Sequence, residues 1–227
     1  MSTRKNTSFV AIVSALIATF VIAFVALSFS QSGPNAFQQE VALVQSSTTG
    51  ITAFEGLVEI EDGWSQLIRT EDGIAMELHT YDLEPGDAYT AWWVIFNNPG
   101  ACSEACGEDD IFIFDAQGNL TPNPEADISI LWAAGNVAGA SGDATFSAYL
   151  AEGRPTGEVV VGQGLQDAVG AEVHLVVRSH GAAHLDKLYQ QLNSFEAPPA
   201  LGGVCEICQD VQFAIHQVTP SEQIAGN

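Results

Sequence analysis

From about residue 54 the chain runs in short apolar stretches separated by Gly, Pro, Asn and Asp. Ile74 to Thr80 alternates strictly, with Ile74, Met76 and Leu78 on one face and Ala75, Glu77 and His79 on the other. A period of two predicts a half-buried strand. Glu71-Asp72-Gly73 is a tight-turn signal, so Trp64–Thr70 and Ile74–Thr80 form an expected hairpin. Further strands are expected at Thr90–Phe96, Ile111–Phe114, Asp127–Ala133, Ala144–Leu150, Glu158–Val161, Glu172–Arg178 and Val211–Gln217. One segment keeps a different period. Leu185, Leu188 and Leu192 lie three and four apart within 184–193, the stripe of a short helix, and Pro198-Pro199 stops it.

Short strands without intervening helices predict a mostly β domain, an antiparallel β-sandwich or flattened barrel with one short helix. Leu83-Glu84-Pro85-Gly86-Asp87-Ala88-Tyr89 leads into the Thr90 strand. Its Leu-x-Pro-Gly-x-x-Tyr spacing resembles the tyrosine corner of fibronectin-III-type sandwiches, in which the hydroxyl bonds to the backbone upstream.

The N-terminus has no such alternation. Arg4 and Lys5 precede an apolar run from Phe9 to Phe29, broken only by Ser14, Thr19 and Ser28. As a helix its 21 residues would be about 32 Å long, enough for a hydrocarbon core. A basic flank before such a run directs export with the positive end inside. Ser28 and Ser30 also have the spacing of a cleavage site before Gln31. The expected organisation is a signal anchor or signal peptide over 1–30 and a flexible Gln/Ser/Thr-rich spacer over 31–53. An exported β-sandwich domain over 54–219 and a tail over 220–227 complete it. The domain is thus expected at the periplasmic or extracellular face of the cytoplasmic membrane, anchored through the N-terminal helix or released after cleavage.

Charge narrows the partners. The chain carries 6 Lys+Arg against 28 Asp+Glu, a net −22, and two of the six basic residues belong to the leader. Such a surface repels phosphate backbones, which excludes nucleic acid as a partner. Four cysteines in two close pairs, Cys102 with Cys106 and Cys205 with Cys208, in an exported chain predict two short-range disulfides. A four-cysteine zinc site is the alternative.

The densest polar pattern is Glu172 to His184. Val173, Leu175 and Val177 point to one side of the expected strand; Glu172, His174, Arg178 and His180 point to the other. That face is the expected binding site. Arg178 is expected to pair with a carboxylate such as Glu172 or Glu77. The alternative is a copper or zinc site built from His79, His174, His180 and His184. Asp115-Ala116-Gln117-Gly118-Asn119 spaces oxygen ligands for a weak calcium site, but lacks the EF-hand glycine and glutamate, so an acidic turn explains it better. No nucleophile elbow, phosphate-binding loop or His-Glu-x-x-His pattern occurs.

Three stretches together resemble a family of uncharacterised exported bacterial proteins. They are Tyr89–Pro99 with Cys102 and Cys106, Ala171–Gly181, and Cys205–Cys208 with Gln209–His216. The strand Glu172–Arg178 with its glycine turns is more distantly similar to the chordin-type extracellular β-domain. These resemblances imply an architecture and no activity. With no catalytic pattern, an expected anchor and a stapled scaffold, the sequence points to a non-catalytic binding module or accessory subunit of a membrane-associated assembly, with no cofactor required.

Overall fold

The computed structural model describes residues 43–102, 105–195 and 208–218. The expected leader and the first part of the spacer lie outside the described residues. Among those described, no helix is long and apolar enough to cross a membrane.

Among the described residues, nine strands join in one antiparallel sheet that curls into a half-barrel. They are β1 (Leu43–Ala53), β2 (Glu59–Thr70), β3 (Gly73–Thr80), β4 (Asp87–Phe96), β7 (Ile128–Val137), β8 (Ala144–Ala151), β9 (Val159–Val161), β10 (Glu172–Ala182) and β11 (Gln209–His216). Their order across the sheet is β8-β3-β2-β1-β11-β10-β4-β7-β9. A two-stranded hairpin, β5 (Phe112–Phe114) with β6 (Leu120–Pro122), stands apart from it. A single curled sheet thus takes the place of two facing layers: long strands coil until one apolar face wraps on itself. β7 and β8, far apart in the order, meet where the Asn136 amide donates to the Thr145 carbonyl at 2.8 Å.

β1 falls where the sequence reading puts a spacer. Its middle, Gln45 to Gly50, is polar or glycine, so no hydrophobic alternation announces it. It is held by its full-length ladder with β2. With β11 it pairs only at Thr52–Phe213 and Ala53–Gln212.

The inner face supplies the main core: Ile51, Leu67, Leu78, Trp93, Ile95, Phe146, Leu150 and Leu175, all at most 1% exposed. Loop 162–171 plugs one end with Leu165, Ala168 and Ala171, and the buried Arg69 donates from Nη1 to the Ala168 carbonyl at 2.9 Å. At the other end Tyr89 completes a corner, its hydroxyl accepting from the Glu84 N–H at 2.9 Å.

β4 is buried on both sides. Tyr89, Ala91, Trp93 and Ile95 face the core. Val94 and Phe96 on the reverse are covered by a smaller cluster containing Cys102, Cys106, Ala126 and Ile128. Trp92, also on that side, meets the Phe195 ring edge-on at 5.1 Å. Phe195 follows the short helix α1 (Leu188–Asn193). The expected leucine stripe docks this helix only in part: Leu188 and Leu192 are half-buried, but Leu185 is 95% exposed. The buried Gln191 also holds it, accepting from the His184 N–H at 2.9 Å and donating to the Ala182 carbonyl at 2.9 Å. Gly135 on β7 permits the approach, since a Cβ there would collide with the Leu192 carbonyl.

Candidate functional site

β10 carries the expected site residues, and its two neighbours β4 and β11 decide their surroundings. Alternation sends Glu172, His174, Arg178 and His180 to the outer side, as the sequence implies. That side is roofed, and all four are less than 9% exposed. His174 Nε2 lies 2.8 Å from Glu172 Oε1, with the Phe96 ring 4.9 Å from the imidazole. Arg178 pairs with Asp210 on β11, not with Glu172 or Glu77; its Nη1 donates to Oδ1 at 2.7 Å. The same guanidinium stacks 4.0 Å over Phe195 and donates from Nε to the Phe195 carbonyl at 3.3 Å.

His180 ends a buried chain. Trp92 Nε1 donates to Thr90 Oγ1 at 2.7 Å, and Thr90 Oγ1 lies 2.7 Å from His180 Nε2. A neutral imidazole supplies an acceptor at Nε2, so Thr90 can pass its own proton on. Burial, and secondarily the positive charge of Arg178, lower the His180 pKa to about 4, which keeps that state. Its other nitrogen faces Cys208 Sγ at 3.9 Å. Among the described residues, all four side chains are packed against neighbouring groups rather than open to water.

The four histidines of the metal alternative are not brought together. His79 stands on β3, four strands from β10 in the sheet order, and His184 is exposed in the turn before α1. Among the described residues, no three His, Cys, Asp or Glu side chains group as a metal site. The oxygen-rich turn is consumed by its own backbone. Asp115 Oδ1 accepts from Gln117 N at 2.9 Å and Asn119 N at 2.8 Å, and such bonds lower its pKa. Cys102 and Cys106 form a disulfide with their Cα atoms 5.2 Å apart. Cys208 is also disulfide-bonded, and Cys205 lies outside the described residues.

His216, on the inner side of β11, is 1% exposed between Ser47 Oγ on β1 and Ser65 Oγ on β2, each at 2.9 Å. It bridges the part of the β1–β11 seam beyond the short ladder. Burial first, then the charges of Arg69 and His174, lower its pKa to about 4.

The other half of the outer surface is bare. β1, β2, β3 and β8 are adjacent, and their register stacks outward residues in rows. One row holds Gly50, Trp64, His79 and Thr145; the next Thr48, Gln66, Glu77 and Ser147; the third Ser46, Ile68, Ala75 and Tyr149. Glu77 is the one carboxylate in these rows, and no Lys or Arg enters them. A second carboxylate, Glu59, reaches the rim over Gly50. An open groove runs along Gln66, Ile68, Ala75, Glu77 and Ser147. At its head is an aromatic platform: Trp64 stacks on His79 with centroids 6.2 Å apart, and Tyr81 meets His79 edge-on at 5.0 Å. His79 is fixed by Thr145 Oγ1 at 2.6 Å and Tyr81 OH at 2.9 Å. Trp64 is 36% and Tyr149 53% exposed.

Sequence reading finds Glu77 and His79 on one polar face but not the platform. Its signal is a coincidence of three strands whose outward positions, Glu77 apart, are polar, apolar or aromatic without Asp, Glu, Lys or Arg. The register that aligns them is not visible within any one strand. No family model matches the chain, and no curated protein does.

Proposed function

We propose that this protein is an exported, membrane-associated, non-catalytic binding module, and that the bare face of β1, β2, β3 and β8 is its binding surface. One observation carries the reading: the two halves of the outer surface are treated oppositely. The β4–β10 half is roofed by α1, Phe195 and the Cys102–Cys106 loop. The β2–β3–β8 half keeps an aromatic platform and a polar strip exposed, although no fold requirement puts a Trp there. Exposed aromatics beside convergent polar groups on a rigid sheet are the usual make-up of a recognition surface. The basic-flanked apolar run Phe9–Phe29 supports delivery of this face to the outside of the membrane.

A photo-reactive side chain at position 147, compared with one at position 84, tests this in intact cells. The expected result is an adduct at 147 alone that disappears with Trp64→Ala. Equal labelling at both positions, or none at 147, would remove the bare face from consideration. Impermeant biotinylation of Lys187 in intact cells reads the exported half of the proposal; reaction only after lysis would contradict it.

A further inference from the structure

The bare face has the chemistry for one ligand class. Resting on the binding-module reading, we infer that it binds a neutral oligosaccharide, stacked on Trp64 and running along the strip toward Tyr149. Charge argues first. In a chain of net −22, the three rows carry a single carboxylate, Glu77, with Glu59 at the rim and no Lys or Arg. An anionic ligand would find no counter-charge there and would meet the repulsive field of the whole molecule. A polycation would find denser acid elsewhere, around Glu55, Glu59, Asp82 and Asp210, which line a separate groove.

The neutral side chains are of the right kinds. Gln66 offers an amide that both donates and accepts, Ser46, Thr48 and Ser147 offer hydroxyls, and Glu77 is a pure acceptor. A sugar presents hydroxyls that need both roles at short intervals. Its flat C–H faces suit the negative face of an indole or phenol ring, through the same quadrupole that orders aromatic pairs. The two exposed rings stand at opposite ends of the strip. Trp64 and Tyr149 lie on strands two apart and in rows four residues apart, roughly 16 Å from the ~3.4 Å and ~4.8 Å spacings of an antiparallel sheet. That span accommodates several linked rings, with the Gln66–Glu77–Ser147 row between them. The platform is also preorganised. His79 is held by two hydrogen bonds and backs the indole, so little ordering is lost when a ligand stacks on its open side. A protein partner would want a larger apolar centre than this strip offers.

Isothermal titration of the full chain in detergent against cello-, xylo-, manno-, malto- and chito-hexaose tests the inference. At least one sugar should bind. Trp64→Ala should weaken it at least tenfold, Trp64→Phe should restore part of the loss, and Gln66→Ala and Ser147→Ala should each weaken it severalfold. Thermal unfolding of each variant establishes that it is folded. Should Trp64→Ala fail to fold, the Gln66 and Ser147 variants and ligand quenching of wild-type tryptophan emission decide. Binding of no sugar, or binding indifferent to all these substitutions, overturns the inference. Trp64-dependent binding of oligolysine in place of every sugar would overturn it too, yet leave the binding-module reading standing. Loss of the Trp64-dependent adduct at position 147 removes both.

Discussion

At the scale of single residues, the buried polar groups have defined thermodynamic signatures. The Tyr89 hydroxyl oxygen accepts from the Glu84 N–H, so Tyr89→Phe should lower stability by about 0.5–1.5 kcal/mol, read as a shift of the denaturant midpoint. This corner was legible from the Leu-x-Pro-Gly-x-x-Tyr spacing alone, because its geometry is local. His180 and His216 behave differently. Both have folded pKa values lowered to about 4, whereas an unfolded histidine titrates near 6.5. Below pH 6.5 the unfolded chain takes up protons that the folded chain refuses. The stability these residues contribute is therefore complete above that pH and falls as pH drops toward 4. By pH 5 each should have cost about 2 kcal/mol. The charges that add to burial are Arg178 for His180, and Arg69 and His174 for His216, and they act in the same direction. Urea unfolding at pH 7 and pH 5 measures the effect; equal midpoints at the two values would contradict it.

At the scale of elements, α1 and the plug loop each depend on a residue whose replacement has a defined effect. Gln191→Leu keeps the size of the side chain but removes its bonds to Ala182 and His184. It should cost about 1–3 kcal/mol and loosen the cover over Trp92, giving red-shifted tryptophan emission. Unchanged emission and stability would mean that Leu188 and Leu192 hold the helix without Gln191. Gly162 opens the plug loop at φ +79°, with no room for a Cβ beside Ile128 and Ser129. Gly162→Ala should be destabilising by more than 1 kcal/mol, since strain and collision add. β2, β3, β7, β8 and β10 were readable from alternation and turn residues. β1 was not, because its polar residues are recruited by neighbours rather than by its own hydrophobic pattern. The short helix was legible, but its stripe was only partly right: Leu188 and Leu192 are half-buried, whereas Leu185 keeps the period yet is left in solvent.

At the scale of the whole molecule, what sequence cannot supply is the roof. The pattern of Glu172, His174, Arg178 and His180 marks an outward polar face, as it should. Whether that face meets water depends on Phe195 and Asp210, which arrive from other parts of the chain. The bare half was hidden by the same dependence on register, because Trp64, Gln66 and Tyr149 gain meaning only when β2, β3 and β8 lie side by side. The short Cys102–Cys106 bridge staples part of the roof rather than the barrel. Its replacement by two serines should cost about 2 kcal/mol from the small loop it closes, and circular dichroism should still report an intact sheet. The central claim is that one half of the outer surface is scaffold and the other is the working face. Hydroxyl-radical footprinting of the purified full chain and of intact cells tests it most directly. In the purified chain Trp64, Tyr149 and His184 should oxidise fast, and Trp92, His174 and His180 slowly; in cells Trp64 and Tyr149 alone should become protected. Oxidation of His174 and His180 as fast as that of His184, or equal reactivity of Trp64 in both settings, would contradict the account.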